Sequence, residues 1–359
     1  MIEIDGSLGE GGGSIIRISS ALSAITSQPI HISNIRANRS KTGLAAQHLN
    51  AVISASQISQ ARSKGLVIGS PDLKFHPKKL IGGKFSLDVK TAGSVGLILQ
   101  TFMIIAPFAS KKSTIDIMGG TDVRWAPSIE YIKHVTLPIL EKMGYNAKIN
   151  LIKRGHYPRG GGMVTATIYP LKKIKPLNLL KSEIDSIKGI SHATNLPRHV
   201  AERQALAAEK IFKNNGFEVD IEIEHSSSNM GMGSGIVLWA RGNTRIGSSE
   251  LGKPSKSAEK VGMHAAENLI ATIKTGSALD EHMGDQIVPY MALSRNSQIG
   301  LSKLTMHTLT NLHIVKKFID KKFQITPKSV DNRVGIDLNK LKLKNKDLKF
   351  KNPVIISCD

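Results

Sequence analysis

Cysteine is almost missing from this chain: Cys358, next to the carboxyl end, is the single one in 359 residues. No disulfide can close within the chain and no cysteine-ligated metal site can form, a usage that fits a reducing interior. Aromatic residues make up only 4% of the sequence, which makes base stacking a weak candidate for the main source of affinity toward nucleic acid. Long apolar runs are lacking too. The longest, Val95 to Ala109, is interrupted by Gln100 and Thr101, and a bilayer span requires about 20 such residues. The opening MIEIDG reads directly as a strand, without the basic segment and apolar stretch of a secretory leader. A soluble cytoplasmic protein is the expectation. Acidic residues are scarce as well, 28 against 49 Lys and Arg, which leaves a formal net charge of +21. Such an excess points to a polyanionic partner or substrate; the alternative is a generally lysine-rich surface.

What is present begins with repetition. Apolar residues recur at helical spacing over Ile15–Ile25, alternate as a strand over Ile30–Ile35, and turn helical again over Gly43–Ile58. A second pass gives helix Val95–Ala109, strand Ser113–Met118 and helix Ala126–Met143; a third gives helix Gln286–Leu293, strand Gln298–Leu304 and helix Met306–Asp320. Each central strand leads through a polar turn into the next helix, at Arg39–Thr42, Gly119–Thr121 and Thr305–His307. Three such units, packing sheets on helices, predict an α+β large domain. Residues 182–274 break the rhythm with strands at Ile190–Thr194, Glu218–Glu224 and Gly235–Ala240 and helices at Arg198–Asn214 and Ser257–Ile273. They read as a smaller inserted α/β domain. The large domain is then 1–181 with 275–338. A basic segment, 339–359, follows, its lysine-rich part Asn339–Asn352 being either a peripheral strand pair or a basic arm.

The stretch SKLTMHTLTN, Ser302 to Asn311, places His307 where a strand meets a helix, with hydroxyls on both sides. A helix start offers unpaired N–H groups and partial positive charge, so it can hold phosphate. A neutral imidazole there can attack phosphorus; otherwise the stretch is a capped helix with a surface histidine. Gly11, Gly12 and Gly13 precede another helix and either present N–H groups to phosphate or simply make a tight turn. Glu10 beside an anion site calls for a divalent cation between them. Arg17, Arg36 and Arg39 suit bidentate phosphate contact, or are solvated surface groups. RGHYPRGGG, Arg154 to Gly162, is either a nucleic-acid contact surface or a hairpin loop. Asp285 and Gln286 open a helix, Asp285 as its N-cap or as a reader of a ribose or base, and Gln100 in its apolar helix makes either a core hydrogen bond or a ligand contact.

GEGGGSIIR, IRANRSKTGLAAQHL, AGSVGLILQT, GGTDVRWAPSIEY, RGHYPRGGG, LPRHVAER, HMGDQIVPYMAL and TMHTLTN stand in this order along the chain. Together they make it resemble the RNA 3′-terminal phosphate cyclases of archaea and bacteria over nearly its whole length. The resemblance implies three repeated α/β units with an inserted domain. It also implies that His307 attacks the α-phosphorus of ATP to form a histidine–AMP, that AMP passes to an RNA 3′-phosphate, and that the neighbouring 2′-hydroxyl displaces it to leave a 2′,3′-cyclic phosphate. By the same resemblance ATP contacts fall on Gln100, His282, Met283, Gly284, Asp285 and Gln286. Glu10 is the carboxylate bridging to magnesium or manganese, and Arg17, Arg36, Arg39 and Gln47 line the path of phosphate and RNA. His282 stands where some relatives carry tyrosine, and the family's aromatic near the inserted domain's last loop has no counterpart around Ser248–Gly252. The implied partners are RNA 3′ ends and ATP, with no membrane and no obligate protein partner. Two other readings share the architecture: a non-catalytic RNA-binding relative acting in ribosome assembly, which lacks the histidine nucleophile, and an enolpyruvyl-type transferase, for which fold alone speaks.

Overall fold

The computed structural model describes residues 1–227, 231–328, 336–337 and 353–359. The stretch 339–352 considered above as strand pair or arm lies outside the described residues. Unit one runs β1 (Ile2–Asp5), α1 (Gly13–Thr26), β2 (Ile30–Ser33), α2 (Ala46–Ser59), β3 (Arg62–Lys64) and β4 (Leu73–His76). Its sheet has the order β1-β2-β4-β3, with the first pair parallel and the others antiparallel. Unit two runs β5 (Gly83–Asp88), α3 (Val95–Ile105), β6 (Ser113–Gly119), α4 (Ile129–Tyr131), a π turn (Ile132–Thr136), α5 (Leu137–Lys142), β7 (Ala147–Lys153) and β8 (Gly162–Ile168). The order β5-β6-β8-β7 and the senses of pairing repeat those of unit one.

Unit three opens with the short β9 (Asn178–Leu179) and is then interrupted. The interruption comprises β10 (Ile184–Thr194), α6 (His199–Asn214), β11 (Val219–Ser226), β12 (Gly233–Gly242), β13 (Arg245–Leu251) and α7 (Ala258–Lys274). The unit resumes with α8 (Glu281–Leu293), β14 (Ser297–Leu301), α9 (Met306–Lys316), β15 (Phe323–Pro327), β16 (Ile336–Asp337) and β17 (Val354–Cys358). Its sheet, β16-β15-β17-β14-β9, keeps the same arrangement, β9 parallel to β14 and the rest antiparallel, with β16 added at the edge. The last strand therefore lies between β14 and β15, so Val354–Cys358, at the end of the expected basic segment, supply an interior strand to unit three. Cys358 is buried there.

Helices of successive units pack in a cycle: α2 on α3, the π turn on α8, and α9 on α1. One continuous apolar core runs through all three units. α3 shows why: every residue on it is buried except Gln100, as expected of a helix walled in on all sides. The interrupting segment forms its own sheet, β11-β10-β12-β13, with α6 and α7 over one face and a second core around Ile187, Phe212, Leu238 and Leu269. Its other face sets Val237 and Trp239 against Tyr131 and Val135 of unit two.

Several boundaries differ from expectation for local reasons. α8 starts at Glu281, four residues before the expected Asp285, because the Asp280 carboxylate accepts the N–H groups of His282 and Met283. α3 stops at Ile105 as Pro107 approaches. α4 starts at Ile129, where the Ser128 hydroxyl accepts the Tyr131 N–H. Ser248–Leu251, read as part of a loop, belongs to β13, which pairs with β12 from Gly235↔Leu251 to Arg241↔Arg245.

Candidate active site

The site forms where unit three closes back on unit one. Thr305 caps α9, its hydroxyl accepting the Thr308 N–H at 2.9 Å. His307 thus falls in the first turn, where backbone N–H groups lack helical partners and carry partial positive charge. Opposite lies the glycine turn. Gly12 stands at the N-cap of α1 and offers no side-chain cap, and a Cβ added there would stand 3.5 Å from His307 Cε1 and 3.6 Å from Arg39 Nη2. Two helix N-termini border one imidazole.

The neighbouring glycines have a packing reason. At Gly9, φ is +58° and a Cβ would come within 2.3 Å of Thr310 Oγ1 on α9; at Gly13 it would lie 2.0 Å from the buried His48 ring. A side chain at Gly9 would press on α9, which carries His307, and one at Gly13 would displace the His48 ring within unit one. Glu10 stands between them, its Oε2 3.0 Å from His307 Nε2 and 3.5 Å from Arg39 Nη2.

α9 is fastened from behind by Asp285. Its Oδ1 accepts hydrogen bonds from the hydroxyls of Thr305 and, at 2.7 Å, of Thr308. Pro289 lacks the N–H that would bond the Asp285 carbonyl inside α8, and Asn311 Nδ2 donates to that carbonyl at 2.7 Å instead. Burial pushes the Asp285 carboxyl above the ordinary range, opposed by the Thr305 hydrogen bond and by the nearby His307. Burial likewise draws Arg17 down to about 10, with Asp285 acting to hold its proton. Arg36 is lowered by burial and then by Arg39, and it donates to the Gly43 carbonyl at 2.9 Å. His48 falls to about 3 through burial and the charges of Arg17 and Arg36, so it is neutral at pH 7. Arg36 and Arg39 repel one another, and an added phosphate would relieve that repulsion.

The other expected residues are more dispersed. Gln47 lies at the start of α2, and a Cβ on Gly93 of the β5–α3 connection would stand 3.5 Å from its Cβ. Gln100 is half-buried on α3. His282 is exposed at the start of α8, edge-on to Tyr131 at 6.5 Å. Met283 is in the core, and Gly284 gives close passage to Leu301 and Thr308. Gln286 is buried, its Oε1 accepting from Thr136 Oγ1 at 3.1 Å and its Nε2 donating to the His282 carbonyl at 3.3 Å. Glu10 touches both Arg39 and His307.

Asp280 and Tyr131 were not anticipated. Asp280 Oδ1 accepts from the Tyr131 hydroxyl at 2.6 Å as well as capping α8, and Oδ2 accepts the Gly247 N–H at 2.9 Å. An aspartate just before EHM carried the cap signal; its link to β13 is purely tertiary. Arg154, in the stretch read as either a nucleic-acid contact surface or a hairpin loop, lies in the turn between the paired strands β7 and β8 and is only 4% exposed. It pairs with Asp122 at 3.2 Å, Glu224 at 2.7 Å and Glu130, tying unit two to β11. A cleft of about 430 Å³ at that junction, lined among others by Lys133, His134, Arg154 and Glu224, lies apart from His307.

The scaffold is α+β, three similar units interrupted by a further four-stranded sheet, and it sets an imidazole between two helix starts beside Arg39. The chain belongs to the RNA 3′-terminal phosphate cyclase family, which matches residues 8–325. It is similar to proteins of that description from Methanothermobacter thermautotrophicus (50% identical over 325 residues, 90% of this chain and 96% of the relative), Methanopyrus kandleri (46% over 338, 91% and 96%) and Thermococcus kodakarensis (47% over 327, 90% and 94%).

Proposed function

We propose that this protein converts an RNA 3′-terminal phosphate to a 2′,3′-cyclic phosphodiester at the expense of ATP, with His307 as nucleophile. The observation carrying this reading is the placement of His307 at the start of α9, facing the open start of α1 and touching Glu10. A neutral imidazole attacks through the nitrogen that carries no proton. Glu10 Oε2, 3.0 Å from Nε2, offsets the positive charge that the ring gains as the P–N bond forms. Attack on the α-phosphorus of ATP forms a P–N bond as the bond to pyrophosphate breaks, and the helix starts and arginines stabilise charge gathering on the phosphoryl oxygens. An oxygen of the RNA 3′-phosphate then takes the adenylyl group from the histidine. The 2′-hydroxyl finally attacks the activated phosphorus, loses its proton and expels AMP. Activation is needed because a phosphate dianion is a poor electrophile.

The nucleotide base is assigned to the region of His282 and Gln100, and the RNA phosphate to Arg17, Arg36, Arg39 and Gln47. Among the described residues no group of three or more His, Cys, Asp or Glu could hold a metal ion alone. The single carboxylate of Glu10 suits magnesium or manganese that draws its remaining ligands from substrate phosphates and water; bound there, such an ion neutralises phosphate charge. The segment 182–274 is assigned as the inserted domain.

The deciding experiment is incubation with ATP labelled at the α-phosphate. The wild-type protein is expected to yield an acid-labile adduct that is lost in His307→Ala and that is discharged by 3′-phosphorylated RNA with formation of the cyclic end. Absence of the adduct, or its survival in His307→Ala, would overturn the assignment.

A further inference from the structure

We infer that Trp125 and Tyr157 form a stacking platform for the bases of the single-stranded RNA leading to the 3′ end, an inference that rests on the cyclase reading above. Among the described residues these two are the exposed aromatic side chains, 94% and 78% exposed. In a chain with so few aromatics, two left in solvent on adjoining loops are unexplained by folding. Neither ring contributes to a core, and Trp125 is held at φ +61°, a backbone conformation that bulky residues rarely adopt.

The two loops run side by side, joined by the bridge Asp122↔His156. A Cβ at Gly160 would lie 2.6 Å from the Thr91 carbonyl, so the second loop rests on the β5–α3 connection; Gly93 of that connection adjoins Gln47. Gln47 neighbours His48, whose ring packs on Gly13 at the start of α1. A chain of contacts thus leads from the loop of Tyr157 through Gly93, Gln47 and His48 to the helix start that borders His307. The topology agrees: Trp125 sits in the connection from the second strand to the second helix of unit two. The same connection carries Arg36 and Arg39 in unit one and leads in unit three into α9, whose second residue is His307.

Charge selects the occupant. Arg124 and Arg159 flank the two rings and Lys90 lies on the third loop, all exposed, whereas the nearby Asp122 is buried and already paired with Arg154. Aromatic faces for bases beside cations for phosphates match a short single strand, without base preference. The low aromatic content therefore argues against stacking as a general source of affinity but leaves room for this one local platform.

Two measurements on the full-length protein test the inference. Trp239 is 6% exposed and stacked on His134 at 4.2 Å, so quenching of tryptophan emission by RNA reports on Trp125. A 3′-phosphorylated octanucleotide is expected to quench it saturably, and quenching that depends on protein concentration without RNA would indicate a second copy of this chain on the patch and overturn the inference. In cyclisation assays the wild type is expected to show KM about tenfold lower for the octanucleotide than for a dinucleotide. Trp125→Ala/Tyr157→Ala loses this length dependence with unchanged thermal unfolding, and Trp125→Phe/Tyr157→Phe keeps it. The same length dependence in wild type and alanine variant, or none in the wild type, sinks the platform. Failure of the wild type to cyclise any 3′-phosphorylated RNA would instead sink the cyclase reading, and quenching by RNA would still report on the platform.

Discussion

Asp285 holds the start of α9 through two hydroxyls and its own carbonyl, and so acts on the chemistry through His307. Misplacing a reacting group by about 1 Å can cost about 100-fold in rate. Asp285→Ala is expected to slow formation of the AMP adduct by about 10- to 100-fold. Asp285→Asn, which retains an acceptor oxygen for both threonines, is expected to recover most of that rate. Adduct formation by the alanine variant at the wild-type rate, followed in single turnover, would show that Thr305 and the helix position the imidazole alone. At this scale the residue types and the glycine and threonine patterns around them single out Glu10, Arg39 and His307, and the structure brings Glu10 into contact with the other two. The service of Asp285 to Thr305, Thr308 and Asn311 was not legible, because it depends on two helices lying side by side.

Between elements, the Arg154 cluster joins β11 and the core of the inserted sheet to unit two. Desolvation opposes every charge in it, yet the Asp122 carboxyl is held well below the ordinary range by Arg154 and His192, and Glu224 is lowered by its hydrogen bond to Arg154. Glu130 goes the other way, raised mainly by burial. Removing the cation leaves buried carboxylates uncompensated, so Arg154→Met is expected to cost about 3–5 kcal/mol at pH 7, measured by urea unfolding. The sign with pH follows from the shifts. Asp122 and Glu224, lowered in the folded state, contribute stability above their ordinary values of 3.8 and 4.5, and this is lost as pH falls below them. Glu130, raised, is already being neutralised above 4.5. The deficit of the variant should therefore shrink on acidification from neutral pH; a deficit independent of pH would remove charge from the explanation. The sequence showed a glycine-rich basic loop here and nothing of the partners that draw its first arginine inside.

Across the whole molecule, a net charge of +21 makes salt the variable to titrate. Each phosphate contact to a single strand contributes about 0.7 to the slope of log affinity against log salt. Arg39→Ala is expected to lower that slope by about 0.7 for 3′-phosphorylated RNA, and Arg154→Met, whose guanidinium is buried, to leave it unchanged. A slope insensitive to Arg39, measured by fluorescence anisotropy, would route the RNA away from the glycine turn.

Periodicity alone set out three helix–strand–helix units and an interruption, since hydrophobic spacing is a local property written into each segment. The short opening strand of unit three escaped it: β9 is two residues long and gains its meaning only from pairing with β14 after the chain has run through the insertion. Likewise the residue types around His307 belong to the sequence. Their meeting belongs to the cycle of helix packing that brings α9 onto α1, because contacts between residues some three hundred positions apart depend on how whole units stack and not on any local preference of the chain.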